Sequence, residues 1–419
     1  MKRLLLPLIL LIGTVGAPVG AFGAEEESSE TLSLEEVLQQ VAERNPEIAA
    51  ARRQVDAAEE RIPQARAFDD PQFGITRWEF PANFNIFKAN ETWYSLSQNF
   101  PFFGKRDLRG KVAEMESRMT NEEFRAVERR IIAQAKQAYY DLFFAHKALD
   151  IHHEQVELAR RFSKIAREKF AVGEAGQQDL VRAQVELLNL SNILITLEQE
   201  RETAVARLNV LLNRPAASSL SAPETPTVPP FEPSLEALQK EAEEKRPENR
   251  MRALAIQRGE EAVKLAKRDR LPDFMAEVAF MDMHNQPHNA WMATVRINIP
   301  WVNKKKYDAR IRENEAERER AEAVYRAALN DTQFRVKDLF FRFQTGRRLV
   351  TLYEEGVLPL ARLSLEAATV GYQTRKNDFL TLIEAQQNLR ELELTYFNAL
   401  VDTNKSLAEL EETLGRAFQ

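Results

Sequence analysis

Polar and apolar residues along this chain follow three successive periods. Leu34, Val37, Leu38 and Val41 recur three and four apart, which predicts a helix with one apolar face. Ser33 with Glu36 three residues on reads as a capping box at its start. A second helical run, rich in Ala, Arg, Gln and Glu, extends from Pro46 to about Ala67. Between residues 71 and 103 this period stops and aromatics crowd together, among them Phe73, Trp78, Trp93, Tyr94, Phe100 and Phe102. A cleaner version follows later. Phe274, Ala276, Val278 and Phe280 alternate with Met275, Glu277, Ala279 and Met281; Trp291, Ala293, Val295, Ile297 and Ile299 alternate with Met292, Thr294, Arg296 and Asn298. That is a hairpin of two strands with one apolar and one mixed-polar face. Its length, alternation and terminal aromatics fit membrane-crossing β-strands. A third period runs from about Gly104 to Phe170. Positions 131, 135, 138, 142, 145, 149, 152, 156 and 159 form a heptad seam of mostly small and aliphatic residues. After the polar break Gly173 to Gln178, Leu187, Leu190, Leu194, Leu197, Ala204, Leu208 and Leu211 continue the spacing. Helix, break and helix predict an antiparallel coiled-coil hairpin.

The chain is written twice. Asp141-Leu142-Phe143-Phe144 returns as Asp338-Leu339-Phe340-Phe341, an offset of 197. Ser33-Leu34-Glu35 meets Ser234-Leu235-Glu236, and Pro71-Gln72-Phe73 meets Pro272-Asp273-Phe274, both at 201. Asn99-Phe100-Pro101 meets Asn298-Ile299-Pro300 at 199, and Leu208 to Arg214 meets Leu410 to Arg416 at 202. Order is kept and the offset drifts by only a few residues, so the chain is an internal duplication. Residues 24–214 form the first repeat, with its hairpin at about 71–103 and its coiled-coil hairpin at about 104–214. Residues 234–419 form the second, with the hairpin at about 272–301 and the coiled-coil hairpin at about 302–416. The connector 215–233 carries six prolines, so it is extended: either a disordered linker or a chain draped over a folded surface.

Residues 1–23 read as a secretory signal peptide: Lys2-Arg3, an apolar run from Leu4 to Val15, then small residues before Glu25. No later stretch reads as a membrane-spanning helix, so any membrane entry is by strands. The net charge of −6 argues against a nucleic-acid binder. With no cysteine, disulfides, thiolate metal sites and N-terminal lipidation are excluded. No catalytic constellation appears, and no cofactor is implied. His152 falls on the heptad seam, and Gly173-x-x-Gly176 is a turn, not a phosphate loop.

Four strands cannot close a barrel, and an open edge in lipid leaves backbone groups unpaired, so the chain must oligomerise. Two chains would supply eight strands and three would supply twelve. The whole pattern resembles the TolC family of outer-membrane efflux channels. The resemblance is carried by Asn45-Pro46, Asp70 to Phe73, Phe100-Pro101-Phe102-Phe103-Gly104-Lys105-Arg106, Phe170 to Asp179, and Tyr372 to Gln386. It implies a mainly α fold with a small β part: a homotrimer whose 12-stranded transmembrane barrel continues into an α-helical periplasmic tunnel. It also implies a periplasmic adaptor and an inner-membrane pump of the resistance-nodulation-division type, in a Gram-negative outer membrane. Export through the channel itself would be passive. A type I protein-secretion channel is the alternative within the class, and a non-conducting periplasmic scaffold the alternative outside it.

By resemblance, the periplasmic gate maps onto Gln178, Asp179, Tyr372, Asn377, Asp378 and Glu384, with adaptor contact at the tips around Gly173, Gly176 and Arg375. Three copies of Glu384 would make a carboxylate ring that favours cations. Thr381 stands where the family often has a second acid, and Arg375 stands where a glycine is expected. Asp179 and Asp378 could equally cap the returning helices. Met281, Met283, His284 and His288 surround the second hairpin loop; thioethers and imidazoles suit soft metal ions, as in the heavy-metal branch of the family. Lys105-Arg106 and Lys304-Lys305-Lys306 follow the hairpins, where a helix dipole disfavours cations, and lipid headgroups or plain solvation would explain them.

Overall fold

The computed structural model describes residues 31–79, 82, 85–89, 91–174, 176–283 and 288–416; the signal peptide and His284 lie outside them. The first repeat contains α1 (Leu34–Arg44), α2 (Pro46–Glu59), α3 (Arg61–Arg66), β1 (Gln72–Trp78), β2 (Glu91–Phe100), α4 (Lys105–Ala171) and α5 (Gln177–Leu211). The second contains α6 (Leu235–Lys245), α7 (Pro247–Arg268), β3 (Phe274–Met283), β4 (Ala290–Ile297), α8 (Lys304–Leu352), α9 (Leu358–Gln373) and α10 (Phe379–Leu414).

Both hairpins join one antiparallel sheet in the order β1-β2-β3-β4. The join is β2 on β3, paired from Phe100↔Phe274 to Glu91↔Met283. The register sorts side chains by chemistry. Phe73, Leu96, Val278 and Ala293 form one row across the sheet, and Ile75, Tyr94, Phe280 and Trp291 the next. The opposite face carries Ser97, Glu277 and Thr294 in one row, with Ser95 and Met292 beside them. An apolar, largely exposed face and a polar, half-buried face match a sheet with lipid on one side and water on the other. Among the described residues, the outer edges of β1 and β4 have no strand partner.

Below the sheet the helices form a wall. All nine predicted seam positions on α4 are buried, from Ile131 to Ala159. The 67 residues of α4 span roughly 100 Å. This helix packs on α5, α7 and α10, and α10 packs on α8 and α9. The duplicated strings sit in this wall: Leu142, Phe143, Leu339 and Phe340 are buried, whereas Phe341 is exposed. On the seam, His152 donates Nδ1–H to the Ala148 carbonyl at 2.8 Å. Burial holds its imidazole below the usual pKa, so it is a packed neutral side chain.

Several local expectations are corrected. The Ser33 side chain makes no cap hydrogen bond; Ser234 does cap its helix, accepting from the Ala237 amide. The run after Pro46 breaks at Glu60 into α2 and α3. Asn45 is the better-used polar residue there. Its Oδ1 accepts from the Glu47 and Ile48 amides, and its Nδ2 donates to the Leu211 carbonyl, so Asn-Pro both starts α2 and ties it to α5. The second repeat does not copy the unbroken α4. A π-helical turn, Tyr353–Val357, separates α8 from α9, with Pro359 just beyond. The offset between the repeats grows from 197 to 202 across this stretch. One wide turn takes up one extra residue, and the other four add about one helical turn.

The connector is draped. Leu32 pairs with Pro223 in a parallel bridge, and Tyr139 donates its hydroxyl to the Leu32 carbonyl at 2.9 Å. Asn209 Nδ2 donates to the carbonyls of Ala216 and Ser218. Phe231 then packs on Phe343, ring centroids 4.9 Å apart, in the second repeat's core.

One ion pair fixes the sheet to the wall. Lys105 is only 2% exposed. Its Nζ lies 2.8 Å from both Asp273 Oδ1 and the Leu271 carbonyl, and the same carboxylate oxygen accepts the Phe102 amide. The first residue of α4 is thus bonded to the chain entering β3. Lys105 is therefore not a headgroup-facing cation. Lys105→Met leaves Asp273 facing this junction without its partner, and should destabilise the fold by about 3 kcal/mol. A lowered thermal midpoint by circular dichroism is expected; an unchanged midpoint would contradict the role of the pair.

Candidate functional site

Three surfaces can carry function: the turns at the far end of the wall, its exposed edges, and the polar face of the sheet. At the far end, α4 returns through residues 172–176 and α9 through 374–378. The two turns are the duplicated unit's equivalents, and among the described residues each contains one left-handed residue. In the first it is Gly173, φ 74°; in the second it is Arg375, φ 64°. A side chain in this region costs about 1 kcal/mol or more relative to glycine. Arg375 has a partner for its guanidinium: it makes an ion pair with Glu174 of the other turn. Lys169 adds a second tie, donating Nζ to the Tyr372 carbonyl at 2.6 Å and lying 4.6 Å from that ring's centroid. The two turns are therefore clasped by charge.

Tyr372 sits buried behind the clasp, its ring edge-on to Phe379 at 5.3 Å. Desolvation, and then the nearby Asp179 carboxylate, push its phenol up to about 12, so it stays neutral. Asn377 packs on Gly371, where an added Cβ would sit 2.4 Å from its amide nitrogen. Asp378 caps α10: its carboxylate accepts from the Thr381 amide at 2.9 Å and hydroxyl at 2.6 Å, and these bonds lower its pKa. Asp179 does not cap. The N-cap of α5 is Gly176, with no side-chain bond, and Asp179 lies in the first turn, where the helix dipole favours an acid. Gln178 is exposed beside it. Glu384 is exposed one turn up α10, in a cleft of about 350 Å³ shared with Val181, Arg182 and Val185 of α5. The structure thus brings Asp179, Tyr372, Asn377 and Arg375 to one end and sets Glu384 apart in its cleft.

Sequence reasoning missed the partners. Lys169 and Glu174 carry the clasp, and Glu186 ties α5 to α10 by accepting from Gln387 at 2.9 Å and Arg390 at 3.2 Å.

The wall is open at both sides. On α5, Val181, Val185, Leu188 and Ile195 are exposed; on α8 and α9, Phe341, Leu352, Leu360 and Leu363 are exposed. Moreover, α5 contains a window long and apolar enough to cross a membrane, contrary to the sequence reading. It begins at the opposite end of α4 from the sheet, so the two do not share one bilayer.

On the sheet, Met281 and Met283 project from the polar face of β3. Met275 shares that face, and Met292 joins it through its pairing with Ala279. His288 lies beyond β3 in the loop. Among the described residues, no group of three or more His, Cys, Asp or Glu could hold a metal ion.

Known proteins share this plan. The chain is 23% identical to the cobalt-zinc-cadmium resistance protein CzcC of Cupriavidus metallidurans, over 99% of this chain and 100% of that protein. Its fold matches that of CusC with a TM-score of 0.79 at 16% identity, covering 92% of each chain. It matches the outer membrane protein VceC of Vibrio cholerae with a TM-score of 0.77 at 15% identity, covering 92% of this chain and 97% of that one. A family model for outer membrane efflux proteins matches twice, over residues 37–214 and 238–416, once in each repeat. With both halves of the duplication matched, the chain belongs to the outer membrane efflux protein family.

Proposed function

We propose that three copies of this outer-membrane efflux channel close a 12-stranded barrel and a helical tunnel, and that the conduit exports metal cations. The observation that carries closure between copies is the pair of free strand edges, β1 and β4, flanking an apolar face; the number three comes from the family resemblance. In lipid each unpaired amide or carbonyl costs several kcal/mol, so the edges must meet those of other copies. The exposed apolar stripes of α5 and of α8–α9 support the same closure below the membrane. The channel has no energy source of its own in this reading. A periplasmic adaptor at the tip turns couples it to an inner-membrane pump, and the channel supplies a passive path outward.

The metal reading is supported by the likeness to a cobalt-zinc-cadmium resistance protein along the whole chain. The four methionines on the sheet's polar face give soft donors along the conduit. Deleting the gene should lower the host's tolerance of cobalt, zinc, cadmium, copper or silver, with tolerance of dyes and detergents unchanged. Sensitised growth on dyes with normal metal tolerance would overturn the metal reading and leave the channel intact.

The tip clasp is read as the closed state of the periplasmic gate. Arg375→Gly removes the ion pair with Glu174 and relieves the left-handed strain, so the fold should persist while the clasp loosens. Single-channel recording in planar bilayers should show a higher open probability. Unchanged conductance and open probability would remove Arg375 from the gate.

Glu384 is read as the cation-selecting ring, since three copies would meet around one axis. Glu384→Ala should shift the reversal potential under a salt gradient toward the non-selective value. A potential identical to that of the parent channel would refute the ring.

A further inference from the structure

The duplication provides an internal control at the junction between sheet and wall. After β2 the chain reads Gly104-Lys105-Arg106-Asp107; after β4, at an offset of 199, it reads Asn303-Lys304-Lys305-Lys306. In the first repeat every charge is used. Lys105 is buried on Asp273, and Arg106 lies 3.5 Å from the Phe68 ring centroid and donates to the Arg66 carbonyl. Asp107 supplies the acid that the first turn of a helix favours.

In the second repeat none of this holds. Lys304, Lys305 and Lys306 are all exposed, and none makes an ion pair among the described residues. The Tyr307 ring lies 5.7 Å from the Lys306 ammonium. No acid lies in the first turn of α8. The acids nearby are already engaged: Asp308 by Arg270, and Asp269 by Arg310 at 3.2 Å. Three consecutive cations at the positive end of a helix are disfavoured unless an anion from outside meets them.

The residues just before them point to its nature. Ile297 and Ile299 continue the apolar face of β4, and Trp301 and Val302 are 60% and 75% exposed. In the first repeat Phe103, at the same level, is 82% exposed. An apolar band, an exposed indole and then three free ammonium groups is the order of groups met on passing from acyl chains into headgroups.

We propose that Lys304, Lys305 and Lys306 bind the phosphates of anionic phospholipids in the periplasm-facing leaflet, with Trp301 and Val302 seated at the acyl boundary. The inference rests on the reading of the sheet as membrane-spanning. Each lysine near an anionic surface strengthens attraction about fivefold at low salt, so the set gives a preference on the order of tenfold to a hundredfold.

The test uses tryptophan quenching in bilayers by brominated lipids. The chain has four tryptophans, so Trp78, Trp93 and Trp291 are replaced by phenylalanine to leave Trp301 alone. A second variant keeps only Trp291, on the apolar face of β4. Brominated phosphatidylglycerol should quench Trp301 at a mole fraction at least about tenfold below that needed with brominated phosphatidylcholine. Lys304→Gln with Lys305→Gln and Lys306→Gln should abolish that difference while leaving quenching by phosphatidylcholine intact. High salt should do the same. Equal quenching by the two lipids in the parent, or a preference that survives the triple substitution, overturns the site. If Trp301 stays unquenched while Trp291 is quenched, the sheet is in lipid and the lysine patch is not at its surface. If neither is quenched, the membrane reading itself fails. If the triple variant keeps its lipid preference but loses an adaptor that copurifies with the parent, the lysines serve a protein partner instead.

Discussion

Backbone hydrogen bonding in lipid is the constraint on which this structure depends. A sheet crossing a membrane cannot leave an edge, because no water is present to satisfy its amides and carbonyls. One hairpin has two edges, and joining β2 to β3 still leaves two, at β1 and β4. Duplication within the chain halves the number of separate pieces needed to close a ring but does not close it. Subunit contacts are therefore part of completing the sheet, and the family's oligomeric channels follow from that need.

The same constraint shapes the junction below. A strand ladder and a helical wall meet within a few residues at Phe102 to Lys105, where the chain must turn without exposing backbone groups. Asp273 answers this by accepting both the Phe102 amide and the Lys105 ammonium, so one carboxylate from the second repeat ties the first repeat's strand to its helix. The equivalent positions in the second repeat are free of this duty. That freedom left three lysines available at the membrane boundary. At the other end of the wall the repeats diverge again, with glycine in one left-handed turn and a paired arginine in the other. Duplication supplied the frame, and the departures from it mark the places where function resides.

Much of this was legible in the sequence. Two periodicities named the elements: alternation for the strands and the heptad seam for α4, whose nine positions are all buried. The repeated Asp-Leu-Phe-Phe exposed the duplication, although only three of its four phenylalanines turned out to be shielded and Phe341 lies open. What the sequence hid were partners set by tertiary distance. Lys105 looked like a surface cation because its partner lies 168 residues away, in the other repeat. The π-helical turn was recorded only as a change in offset, since periodicity does not report an extra residue inside a helix. The connector's prolines predicted an extended chain but not the surface it follows, which depends on Leu32, Asn209 and Phe343. At the tips the turn residues were found, while Lys169 and Glu174 were not, because ordinary surface charges carry no signal until the fold pairs them.

Closure of the sheet between chains is the central claim, and cysteine crosslinking tests it most directly. The natural chain has no cysteine, so every disulfide would be an engineered one. Single cysteines along β1 (Gln72–Trp78) are combined with single cysteines along β4 (Ala290–Ile297), and the membranes are oxidised and resolved on denaturing gels. For at least one register the account predicts covalent dimers and trimers, with nothing larger, as expected when β1 of each chain lies against β4 of the next in a closed ring of three. No crosslink in any register, a dimer as the terminal product, or a ladder continuing past three chains would contradict it.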